Sequence, residues 1–181
     1  CNPKTSKEEL SIYYELLTIF KNIKSEYKPK ELEKKWVFDY YIPELKLVIE
    51  YDGNHWHHDK DQVCTDKLKT QKIKEADSVK PYKALRIREQ TTKYPLKKIT
   101  VDDVEIDKGC KNKIKTIVDR VLEKIKEIFK DEKLNKLDNN TVQLINDYIK
   151  KNTLQNKEEY QKELNRRSKN NEKIEKKKII K

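Results

Sequence analysis

The chain has 181 residues, with 43 Lys+Arg against 32 Asp+Glu and a formal net charge of +11. Hydrophobic residues make up 34% and charged residues 41%, against about 45–50% and about 25% in average globular domains, which excludes one large core running through the whole chain. No run of about 18 apolar residues is present, so no membrane-spanning helix is expected. A chain this basic points to a polyanionic partner, nucleic acid before an anionic membrane surface.

The three cysteines, Cys1, Cys64 and Cys110, are far apart and form no C-x-x-C pair, so neither a disulfide framework nor a zinc finger is complete. Thiols in a reducing, intracellular compartment are expected, with no secretion. The chain contains no methionine and opens at Cys1. It reads as a piece of a longer protein, whose further domains are expected partners.

In chain order, Ser6 to Lys21 predicts a helix. Thr5 or Ser6 caps it, Glu8 and Glu9 sit where the dipole favours negative charge, and Leu10, Tyr13, Leu17 and Phe20 fall on one stripe. A charged connector follows from Asn22 to Lys35. The aromatic and β-branched run Trp36 to Ile42 predicts a strand, and Pro43-Glu44 a tight turn. Leu45 to Tyr51 predicts a second strand, with Leu45, Leu47, Ile49 and Tyr51 on one face and Lys46, Val48, Glu50 and Asp52 on the other. Gly53 ends it.

Asp59 to Ala76 predicts a helix with a thin apolar stripe, on which Gln62, Asp66, Lys69 and Lys72 share a face. Ala84 to Arg88 alternates as a third strand. Lys111 to Phe129 carries the widest apolar stripe and predicts the strongest helix. Val142, Leu144, Ile145 and Ile149 predict one more, and the Lys/Asn/Glu-rich end reads as a solvated helix or disorder. The fold class expected is α/β (α+β), a small mixed sheet flanked by helices. A domain over 1–130 and a basic helical or partly disordered extension over 131–181 are expected.

One region is chemically dense. Asp39 lies inside an apolar strand, Glu50 and Asp52 project from one face of the next, and all three histidines, His55, His57 and His58, follow at once. A carboxylate on an edge strand is ordinarily just solvated. Several converging at strand ends repel one another unless a cation or a shared proton intervenes. Carboxylate oxygens with open water positions suit Mg²⁺ or Mn²⁺, and an adjacent histidine suits general-base work near neutral pH. In so basic a chain, a metal beside a base points to phosphodiester hydrolysis. A His-x-His-His cluster can also bind Zn²⁺. Trp56 can stack on a base or pack under the sheet.

The run from Phe38-Asp39 through Gly53, followed by Trp56-His57-His58, resembles the very-short-patch-repair (mismatch-nicking) endonucleases. It also resembles the homing and phage or viral nucleases that share their core. These form the E-D-x-H-D branch of the PD-(D/E)XK restriction-endonuclease-like fold, and the resemblance covers about Thr5 to Glu89. It implies Asp39 as the principal metal-binding aspartate and His57 as general base. It implies Asp66 as the acid assisting the histidine, and Glu9 as the first-helix glutamate, with Glu8 as the alternative. Tyr51 falls where the family supplies a backbone carbonyl to the metal. Glu50 and Asp52 also resemble the E-x-K half of the wider fold, with Asp52 where lysine stands. The metal shell is therefore Asp39 with Glu50 and Asp52, or Asp39 with the Tyr51 carbonyl. The structural zinc ligands of the repair enzymes are not visible.

Trp56, Lys69, Lys72, Arg86 and Arg88 are the candidate nucleic-acid contacts. The expected function is a Mg²⁺- or Mn²⁺-dependent DNA endonuclease, nicking or cutting both strands. The alternatives are a non-catalytic nucleic-acid-binding module of the same fold, a ribonuclease, and a structural partner in a larger complex.

Overall fold

The computed structural model describes residues 6–53, 60–93, 96, 98–130 and 137–179, with side chains to residue 170. Helix α1 spans Lys7–Leu17, with Ser6 as its N-cap. The Glu9 backbone N–H donates to Ser6 Oγ at 3.0 Å, which satisfies one of the donors a helix start leaves over. Strands β1 (Lys24–Tyr27), β2 (Phe38–Ile42) and β3 (Leu47–Asp52) follow. A single 3₁₀ turn, Pro43–Leu45, joins β2 to β3 and closes on Lys46 in the left-handed conformation at φ 49°. Helix α2 is Lys60–Glu75, β4 is Lys83–Gln90 and β5 is Val104–Asp107. Helices α3 (Lys113–Phe129), α4 (Asn139–Lys150) and α5 (Lys157–Ile179) complete the order. Among the described residues no helix is long and apolar enough to cross a membrane.

The five strands form one mixed sheet in the order β1-β2-β3-β4-β5. The first two pairings are antiparallel and the last two parallel. The α/β (α+β) class read from the sequence is the class observed. Two strands lay outside that reading. β1 sits inside the connector and β5 follows Val101.

Alternation along β3 divides the core in two. Leu47, Ile49 and Tyr51 join Leu85 and Ile87 of β4 against α1, α3 and α4. On the opposite face Val48 and Ala84 pack with Phe38, Ile73 and Tyr82. Helix α3 supplies the bulk of the larger cluster through Ile117, Val118, Val121, Leu122, Ile125 and Phe129. Burial of that stripe holds the helix on the sheet, each side chain contributing roughly 1.5–3 kcal/mol. Leu137, Ile145 and Tyr148, which lie beyond residue 130, belong to the same cluster.

The C-terminal segment is tied to α1 by a buried carboxylate. Glu15, 2% exposed, accepts from Tyr148 Oη at 2.6 Å, the Gln155 backbone N–H at 2.8 Å and the Asn156 backbone N–H at 2.9 Å. Asn156 Nδ2 donates in turn to the Tyr14 carbonyl at 2.7 Å. A carboxylate at the start of α5 also suits the helix dipole.

Candidate functional site

The β2–β3 ladder runs from Ile42 paired with Leu47 to Tyr40 paired with Ile49. The next pair in register, Asp39 and Glu50, is not joined by the ladder. The Tyr51 backbone N–H donates to Asp39 Oδ2 at 2.7 Å instead. A carboxylate has thus replaced a backbone acceptor where the strands part, and this fixes Asp39 beside the end of β3. Glu50, 7% exposed, projects toward α2, where Lys69 Nζ forms an ion pair with its Oε1. The same ammonium donates to the Val37 carbonyl at 2.5 Å and lies 4.4 Å from the centre of the Phe38 ring.

These acids share one electrostatic environment. Burial, with Glu9 nearby, pushes the Asp39 carboxyl up to about 7, against the pull of the Tyr51 N–H and Lys69. Burial and then Asp39 push Glu50 up to about 8, although Lys69 acts in the other direction. Glu9 is raised by burial, with Glu50 adding to it. The two strand carboxylates therefore hold protons near neutral pH far more readily than ordinary ones. A cation would favour their ionised form.

Glu9 also has a local role. Its carboxylate reaches back to the Ser6 backbone while Ser6 Oγ caps the Glu9 N–H. This reciprocal S-x-x-E arrangement is a capping box. The Glu9 carbonyl accepts from Tyr40 Oη at 2.8 Å, which ties the start of α1 to β2.

Asp52 requires correction. It does share the Glu50 face, but it is fully buried and claimed by arginines. Arg86 Nε and Nη2 donate to its two oxygens at 2.6 Å each, and Arg88 Nη1 donates to Oδ2 at 2.5 Å. The parallel register sets Arg86 beside Glu50 and Arg88 beside Asp52, so arginines occupy the space a metal would need at Asp52. Arg86 and Arg88 require the same correction as nucleic-acid contacts. They are 1% and 0% exposed, and they hold Asp52 together with Asp66, which lies 3.2 Å from Arg86 Nη2. Two carboxylates and two guanidiniums make this buried cluster neutral, the condition under which buried charge is tolerated.

The remaining candidates separate by exposure. Asp66, 2% exposed, accepts from Gln62 Nε2 at 2.9 Å besides its arginine pairs. Lys69, read as a phosphate contact, is largely buried against Glu50. Lys72 is exposed and lies 3.6 Å from Glu75. The Tyr51 ring packs in the larger core, and its hydroxyl donates to Glu89 Oε1 at 3.4 Å. Trp56 and His57, with His55 and His58, lie outside the described residues.

Among the described residues, no group of three or more His, Cys, Asp or Glu side chains is placed to hold a metal ion. The fork supplies two side-chain carboxylates, Asp39 and Glu50. That set fits a hard cation such as Mg²⁺, which takes one or two carboxylates and keeps several waters. The sequence reading did not identify the Lys69–Glu50 pair. Its signal was present, because Lys69 lies three residues after Asp66 on the face already marked as shared. No family model, curated protein or solved structure matches the chain.

Proposed function

We propose that the chain is a metal-dependent DNA endonuclease. The observation that carries the reading is the fork between β2 and β3, where Asp39 and Glu50 stand on parting strands with Lys69 against them. The mixed five-stranded sheet, the net charge of +11 and the histidines just after β3 support it. Asp39 and Glu50, with the Tyr51 carbonyl as a third donor, would hold Mg²⁺ or Mn²⁺. The ion would offset charge on the phosphoryl oxygens and lower the pKa of bound water.

His57, by resemblance, takes a proton from the attacking water, whose oxygen forms the new bond to phosphorus. The P–O3′ bond breaks, the 3′ oxygen gains a proton and the 5′ end keeps the phosphate. Asp66 acts indirectly, as one wall of the arginine cluster that seats α2 on β4. Glu9 fixes the start of α1 beside the fork.

The test is supercoiled plasmid and labelled RNA, each with Mg²⁺ or Mn²⁺ and an EDTA control. DNA cleavage that stops with EDTA and falls by at least about 100-fold in Asp39→Asn and in Glu50→Gln is expected, the size typical of lost charge stabilisation in a transition state. Salt-sensitive binding without cleavage would overturn the enzymatic reading in favour of a binding module. Cleavage of RNA alone would move the substrate class.

A further inference from the structure

We infer that Lys69 is a resident counter-ion that a divalent cation displaces, and that its ammonium then pairs with a substrate phosphate, so that metal and nucleic acid bind cooperatively. The inference rests on the nuclease reading and adds a coupling between its two ligands.

The geometry sets this lysine apart from the other lysines of α2. Its side chain is 13% exposed and that of Glu50 9%, whereas Lys72, one turn on, is 53% exposed. The ammonium touches Glu50 Oε1, the Val37 carbonyl and the face of Phe38. All three contacts come from the walls of the fork.

Ammonium and metal cannot share one carboxylate oxygen, because two cations would then sit in contact at a site sheltered from solvent. The four-carbon stem of lysine lets the ammonium move a few ångströms without moving the helix. A phosphodiester bound at the metal offers anionic oxygens at the edge of the same fork. Without nucleic acid, metal entry costs the Glu50–Lys69 pair. With nucleic acid present, Lys69 exchanges one anion for another and that cost falls. By linkage, the metal must then strengthen nucleic-acid binding by the same factor.

The experiment measures Mn²⁺ affinity of the full chain by calorimetry and electron paramagnetic resonance. It is run with and without a phosphorothioate duplex that resists cleavage, for wild type, Lys69→Met and Asp39→Asn. For wild type, the duplex should tighten Mn²⁺ binding by about tenfold, within the usual range of coupled sites. In Lys69→Met, Mn²⁺ alone should bind about tenfold more tightly than in wild type, and the duplex should add less than about twofold.

Unchanged or weaker Mn²⁺ binding in Lys69→Met, with the duplex effect intact, would overturn the inference and leave the nuclease reading standing. Mn²⁺ binding absent from wild type, or identical in Asp39→Asn, would overturn both. A measurement on wild type guards against a misfolded variant. The side-chain NMR signal of Lys69 should shift on Mg²⁺ addition, and a fixed signal under saturating Mg²⁺ refutes the displacement.

Discussion

Raising the pH of the metal-free protein should unfold it more easily, which is the opposite of what its net charge alone predicts. Asp39 is held up to about 7 and Glu50 up to about 8 in the fold, whereas an unfolded chain releases both protons near pH 4. A carboxylic acid with a raised folded pKa contributes stability that is complete below its unfolded pKa. That stability is lost as the pH rises through the folded value. The window here runs from about pH 4 to about pH 8. For Asp39, which is only half-buried on its strand, the rise from 3.8 to about 7 sets an upper bound of about 4 kcal/mol at about 1.36 kcal/mol per pH unit, reduced by solvent screening. The rise of Glu50 is similar, but each owes part of its rise to the other, so the pair together is worth at most on the order of 5 kcal/mol.

The assay is the urea midpoint at fixed ionic strength in EDTA, taken in steps from about pH 5 to about pH 9. The expected result is a steady fall, absent in Asp39→Asn/Glu50→Gln, with Mn²⁺ restoring stability at the alkaline end. Loss of positive charge as the pH rises relieves self-repulsion in a chain of +11 and pushes stability upward. The two contributions thus differ in sign. A midpoint that stays level or rises through this range, or a fall retained in the double variant, would refute the buried-carboxylate argument.

Three further outcomes follow from named contacts. Arg86→Met removes both 2.6 Å bonds to Asp52 and should destabilise by about 3–5 kcal/mol; a urea midpoint shifted by less than about 1 kcal/mol equivalent would show the cluster to be dispensable. Glu15→Ala leaves the Tyr148 hydroxyl and two backbone donors without their shared acceptor, at a cost of about 2–4 kcal/mol. Hydrogen exchange should rise at the start of α5 while α3 stays protected. Lys72→Gln alters an exposed cation, so it should reduce the salt slope of duplex binding by about one without altering Mn²⁺ affinity; an unchanged slope would place the DNA elsewhere.

What could be read from the sequence follows how locally each feature is determined. Helix α3 was legible because its apolar stripe repeats over four turns. The alternating faces of β3 were legible because parity alone assigns them. β1 was not, since Lys-Ser-Glu-Tyr lies mostly exposed at a sheet edge and becomes a strand only because β2 offers it a partner. β5 buries Val104 and Ile106 and exposes Glu105 and Asp107, but four alternating residues are too short a period to stand out. The thin stripe of α2 has a different cause. The residues it buries are Asp66, Thr70 and Ile73; the first two meet Arg86 and only Ile73 enters the smaller apolar cluster.

That inner face also explains why the candidate site was only half legible. Parity placed Glu50 and Asp52 together, and the structure agrees. Which cation each one meets depends on β4 lying parallel in register and on α2 crossing above both, and neither can be read from the spacing of two acids. The register sends two guanidiniums to Asp52 and the helix sends one ammonium to Glu50. A guanidinium pair fixed on a fully buried aspartate cannot leave without stranding the charge beneath it. Glu50 is held instead by a single ammonium on a flexible stem, and it is this cation that the proposed reading has a metal displace.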